Sequence, residues 1–176
     1  VDFAETDHGT LLERDILNNY SGLIVIKSIS KSFGVPGIRL GILASKDSNL
    51  INSIKKDVAI WNINSFAEFY LQIFEKYKCE YQKALEEFKK VRRHFISQLK
   101  NIQGLRVLPT QANFITCEVL GNTSKELAAL LLDKHDILIK DLSTKKGIPR
   151  QYIRVAIRRP EENDRLIDAL TEIFAQ

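Results

Sequence analysis

The chain reads as an α/β protein, and three observations carry that reading. Two apolar runs of strand length, residues 23–26 and 40–44, bracket a loop rich in Gly and Ser. Between residues 66 and 99, apolar and aromatic side chains recur every three or four positions with no Gly or Pro, the spacing of a long helix. Residues 152–157 alternate: Tyr152, Arg154 and Ala156 share one face, and Ile153, Val155 and Ile157 the other, as in a half-buried strand.

The elements follow in order. Residues 1–4 start as a short strand. Asp7, His8, Gly9 and Thr10 form a polar turn in which His8 is expected to be solvated, and Leu11, Leu12, Ile16 and Leu17 suit a short amphipathic helix. Residues 23–26 form a buried strand that runs into the loop, and residues 40–44 form a strand that leaves it. Asp47 or Ser48 caps a helix over 49–56. Trp61 and Asn62 either line a site mouth or pack between domains. Asn64 and Ser65 cap the long helix over 66–99, whose aromatic stripe reads as a core face and whose Cys79 reads as a structural thiol. Gly104 is expected to stop that helix. Strands over 105–108 and up to Val119 follow, then a helix over 125–134 capped by Ser124, a strand over 136–141 and a loop over 143–149. The strand over 152–158 comes next, and Pro160 opens a helix over 164–174.

Composition narrows the function classes. The 176 residues are 44% hydrophobic and 27% charged, an ordinary balance for a chain with a core. The net charge of +4 is modest, and the one basic cluster, at Lys89, Lys90, Arg92 and Arg93, fits a solvated helix face, so nucleic acid is not an expected partner. Cys79 and Cys117 have neither CxxC spacing nor paired histidines nearby, which argues against a metal site or a disulfide. No apolar run reaches the length of a membrane span and no signal peptide is visible, so no membrane association is expected and the cytoplasm is the default location.

The loop is the place for chemistry. It reads Ser28-Ile29-Ser30-Lys31-Ser32-Phe33-Gly34-Val35-Pro36-Gly37-Ile38-Arg39-Leu40-Gly41. Its glycines permit tight turns and close approach to a ligand. Ser28 and Ser30 carry hydroxyls, Arg39 a planar fork suited to a phosphate, and Lys31 a primary amine able to act as a nucleophile.

This string resembles the cofactor-lysine segment of fold-type I pyridoxal-phosphate (PLP) enzymes. The closest branch is that of the histidinol-phosphate aminotransferase-like members of the class I and II aminotransferases. The pattern [ST]-x-S-K-x-[FY]-G-x-x-G-x-R-x-G is met at every defined position from Ser28 to Gly41. The resemblance implies that Lys31 forms the Schiff base with PLP and shuttles the proton, while Arg39, Ser28 and Ser30 hold the PLP phosphate. Further on, Tyr152-Ile153-Arg154-Val155 resembles the segment whose arginine grips the substrate α-carboxylate, which assigns that role to Arg154; Ala156 departs from the usual Ser or Thr. Asn113, in an Ala-Asn-Phe match, lies near the substrate or holds a turn. Lys140 stands where histidinol-phosphate transaminases carry an arginine for the substrate phosphate, which puts histidinol phosphate itself in doubt. For the acid that pairs with the pyridine nitrogen, two registers stay open: Asp2, or an Asp upstream of Val1.

The same resemblance implies an organisation. The chain corresponds to the C-terminal half of a whole enzyme. Residues 1–64 would be the end of a large, mostly parallel-sheet PLP domain, 65–100 an interdomain long helix, and 101–176 a small α/β domain. The implied activity is transamination between an amino acid or amino phosphate and a 2-oxo acid, in an intact homodimer. The alternatives are a PLP-dependent decarboxylase of the threonine-phosphate type, or an inactive module lacking a complete site.

Overall fold

The computed structural model describes residues 9–121, 123–147 and 150–175. The expectations placed on residues 1–8, Asp2 and His8 among them, lie outside the described residues, as do two positions near the end of the 143–149 loop. The chain forms two compact units, Val1–Ala84 and Leu85–Gln176, each with its own sheet. It is an α/β chain, as expected.

The first unit contains α1 (Arg14–Asn19), β1 (Ile24–Lys27), α2 (Ile29–Ser32), β2 (Ile42–Ser45), α3 (Ser48–Asp57) and α4 (Ser65–Phe74). A 3-10 turn, Glu75–Tyr77, then leads into α5 (Lys78–Lys100), so the long helical stretch has one break. β1 and β2 pair antiparallel, from Ile24 opposite Ser45 to Lys27 opposite Ile42. Helix starts are set by side chains that accept orphan backbone donors. Asp47 Oδ1 accepts from Asn49 N and Leu50 N at 2.9 and 3.0 Å, and Asn64 Oδ1 accepts from Ala67 N at 3.0 Å. The small core joins Ile29, Leu40 and Ala67, with Phe33, Ile38 and Tyr70 packed against it.

Three expectations fail in this unit. The strand over 23–26 is not buried: Ile24 and Ile26 are exposed, because a two-stranded ribbon supplies no second layer. The aromatic stripe is only partly a core face, since Phe66 and Phe69 are exposed. Cys79 is exposed too, so it is not a structural thiol of this unit.

The second unit is a four-stranded sheet in the order β3-β4-β6-β5, with every neighbouring pair antiparallel. Its strands are β3 (Leu105–Val107), β4 (Phe114–Val119), β5 (Lys140–Asp141) and β6 (Tyr152–Ala156); α6 (Ser124–His135) and α7 (Pro160–Phe174) complete it. Strand alternation sends Ile115, Cys117, Ile153 and Val155 to one face. They form a core with Phe95 and Leu99 of α5, Leu127 and Leu131 of α6, and Leu166 and Leu170 of α7. The opposite face of the sheet carries Phe114, Thr116, Lys140 and Arg154.

Local chemistry revises four boundaries here. Gly104 is not a left-handed helix stop; a Cβ there would run into the Phe174 ring, so glycine is needed for close packing. Thr123, not Ser124, caps α6, in a reciprocal box with Glu126. Asp136 adopts φ 55° and ends α6, which confines the expected 136–141 strand to Lys140–Asp141. Pro160 is the first residue of α7, a position where its missing N–H costs nothing, so that helix starts earlier than expected. Among the described residues no helix is long and apolar enough to cross a membrane.

Candidate functional site

The 28–41 loop is closed at its base by one residue pair. Ser30 is 2% exposed. Its backbone N–H donates to Leu40 O at 3.1 Å, its hydroxyl donates to the same oxygen at 3.1 Å, and Leu40 N–H donates to Ser30 Oγ at 2.5 Å. A hydroxyl has one proton, and here it is engaged by the backbone, so Ser30 ties the loop shut. The next residues outward from this pair are Lys31 and Arg39, both with exposed side chains. Ser28 precedes the single turn of α2 with extended backbone, and its hydroxyl makes no capping bond.

Arg39 holds φ 52°, in the left-handed region. For a non-glycine residue this costs roughly 1–2 kcal/mol, a strain concentrated at ligand clamps and active sites. Among the described residues its guanidinium reaches Pro36 O, at a long 3.4 Å. Gly34 makes the preceding turn at φ 70°.

Three ties anchor this loop within the first unit, and none was visible in the motif. Tyr81 OH donates to Ser32 O at 3.1 Å, one residue past Lys31. Asn64, while capping α4, donates through Nδ2 to Ile38 O at 2.9 Å. The Phe33 ring meets Phe74 and Tyr81 at centroid distances of 4.7 Å each. A helix of one turn cannot hold itself, so these contacts carry the orientation of Lys31. An amine, a free hydroxyl and a guanidinium on one anchored loop suit a group that bears an aldehyde and a phosphate, as PLP does.

Of the remaining expected residues, Lys140 and Arg154 come together on one sheet of the second unit, and Asn113 lies in the turn just before β4. Arg154 lies directly opposite Thr116 on β4 and Lys140 on β5, so all three side chains share a face. The Arg154 Cζ stands 4.9 Å from the Phe114 ring centroid, a cation–π contact. Asn113 is exposed, and its carbonyl accepts from Ile157 N at 3.1 Å. The turn before β4 is held instead by Thr110, whose Oγ1 donates to Phe114 O at 2.9 Å and accepts from Ala112 N at 3.1 Å.

Neighbouring charges are paired. Arg158 meets Glu162 through two nitrogens at 2.7 Å, and the hydrogen bond from Arg158 holds the Glu162 carboxyl below the usual range. Burial pushes the Asp141 carboxyl up, but hydrogen bonds from Ser143 and Ser124 and the Lys140 charge together bring it below the ordinary value. Glu118 takes Arg106 and Arg150 as ion-pair partners. Burial pushes the Cys117 thiol up to about 12, which fits a packing role.

The family described as aminotransferase class I and II matches residues 1–170. An L-serine phosphate decarboxylase of Campylobacter jejuni is 31% identical over 177 residues, covering 99% of this chain and 45% of that protein. Histidinol-phosphate aminotransferase 2 of Archaeoglobus fulgidus is 32% identical over 162 residues, covering 90% of this chain and 45% of that protein. The crystal structure of the histidinol-phosphate aminotransferase from Clostridium acetobutylicum superimposes with a TM-score of 0.89 at 29% identity, over 99% of this chain and 52% of that one. The chain thus spans about half the length of the curated relatives it matches. A lysine-bearing loop with a phosphate-suited arginine, on a fold shared along nearly the whole chain, identifies it: the chain belongs to the class I and II aminotransferases, a fold-type I family of PLP-dependent enzymes.

Proposed function

We propose that the protein is a PLP-dependent aminotransferase that moves an amino group between a phosphate-bearing amino substrate and a 2-oxo acid. The observation that carries the substrate class is the Lys140–Arg154 pair. Like charges directly opposite on adjacent strands repel, and an anion between them relieves the repulsion. A substrate with both a carboxylate and a phosphate suits the pair. Arg154 offers a bidentate fork to the planar carboxylate, and Lys140 a point charge to the phosphate. The phosphate-bearing substrates named for the relatives support the same class.

Bound PLP supplies the electron sink for chemistry at the substrate Cα. In this reading Lys31 provides the amine that engages the cofactor and then moves the proton at Cα. Ser28 and Arg39 donate to the cofactor phosphate, while Ser30 keeps the loop closed beneath them. Asn113 borders the carboxylate side. Residues 1–64 would close the cofactor domain, 65–100 form the connecting helical stretch with its one break, and 101–176 carry the substrate-facing sheet of a homodimeric cytoplasmic enzyme.

Decarboxylation is a second reading with its own support. The Campylobacter relative is named a decarboxylase, and Lys140 replaces the arginine expected of a histidinol-phosphate transaminase. Product analysis with PLP, O-phospho-L-serine and 2-oxoglutarate separates the two. Keto-acid formation that depends on the acceptor supports transamination. Carbon dioxide release without keto acid sinks it in favour of the decarboxylase.

A further inference from the structure

We infer that Phe114 is a positioning residue: its ring face holds the Arg154 guanidinium in place for a substrate carboxylate. This rests on the carboxylate role proposed for Arg154. Phe114 lies opposite Ala156 on β6, two residues along the same face from Arg154. On the other side, Lys140 faces Arg154 directly. Repulsion from Lys140 and attraction to the ring act in the same sense, drawing the guanidinium toward Phe114. A guanidinium over the ring face still has N–H groups to offer an anion.

The backbone around Phe114 is pinned from several directions. Thr110 Oγ1 donates to its carbonyl, Ile157 N donates to Asn113 O, and Arg92 Nη1 donates to Ala112 O at 3.1 Å. Arg92 is 1% exposed, so a buried cation is committed to the turn that presents the ring. Long Arg side chains lose rotamer freedom when they bind, and a ring that restricts Arg154 beforehand reduces that loss.

The test has two arms. In the first, arginine side-chain Nε–Hε NMR spectra are recorded on the chain, with the Arg154 signal assigned through Arg154→Lys. The signal is expected to be displaced by the ring current, to lose that displacement in Phe114→Leu, and to keep a displacement in Phe114→Trp. An Arg154 signal indifferent to Phe114→Leu overturns the inference. In the second, steady-state kinetics with O-phospho-L-serine are measured on the PLP-loaded protein. Phe114→Leu is expected to raise KM about two- to fivefold with little change in kcat, the size of an exposed cation–π contact. Phe114→Trp is expected to restore KM. If Arg154→Lys raises KM and Phe114→Leu does not, positioning by Phe114 is refuted while the carboxylate role of Arg154 stands. If neither substitution moves KM although the NMR contact is present, the carboxylate reading fails, and the positioning role falls with it.

Discussion

The two units of this chain bury their apolar residues very differently. Among the described residues, the core of the first unit holds three buried apolar side chains, Ile29, Leu40 and Ala67, whereas that of the second holds sixteen. The first unit also leaves Ile26, Ile60, Trp61 and Phe66 more than three-quarters exposed. Yet the lysine loop lies in the weakly cored unit and is held by discrete ties: Tyr81 to Ser32, Asn64 to Ile38, Ser30 to Leu40. Arg154, the residue proposed for the substrate carboxylate, lies on the strongly cored one. Local order at a site therefore does not require a large core beneath it; a few satisfied polar groups at the ends of short elements suffice.

The sharpest way to break this contrast is to truncate on both sides of it. Phe95→Ala, at a fully buried position, is expected to cost about 3–5 kcal/mol in urea unfolding, whereas exposed Ile26→Ala is expected to stay within about 0.5 kcal/mol. Equal costs would mean that the first unit is far better packed than described. Next in size is Gly104→Ala. The added methyl meets the Phe174 ring, and the expected loss is about 1–3 kcal/mol, relieved when Phe174 is also cut to Leu. Non-additivity in that double-mutant cycle is the readout.

The smallest effect concerns pH. The Asp141 carboxyl is held below its usual range, so it stabilises the second unit above the unfolded-state value, and that contribution is lost as pH falls below about 4. Acid titration of stability should flatten in Asp141→Asn. The first unit should show no matching change, and a slope unaltered by the substitution would contradict the role given to the Ser124 and Ser143 hydrogen bonds.

Much of the site was legible in the sequence, for reasons that differ by residue. The loop from Ser28 to Gly41 is a contiguous string, so its residue types and spacing can be read directly. Asp47 and Asn64 are cap residues of the right type immediately before helical stretches, and the face that Arg154 takes follows from strand alternation, its role having come from the family resemblance. What stayed hidden depended on partners distant in sequence. Exposure of Ile24 and Ile26 depends on the layers that cover a sheet, and the Gly104 constraint comes from a ring seventy positions away. The Phe114–Arg154 contact needs the register between β4 and β6, and periodicity within one strand carries no information about register. Thr123 and Ser124 are both good caps by type, and only Thr123 has the extended backbone for it.

The central claim is that the Lys31 loop is a cofactor site, and one measurement tests it most directly. PLP is added to the chain, the product is reduced with borohydride, and labelled peptides are mapped, with Lys31→Ala in parallel. The account predicts a pyridoxyl label concentrated on Lys31 and lost in the variant. Label scattered over many lysines, with the same pattern in Lys31→Ala, would contradict it.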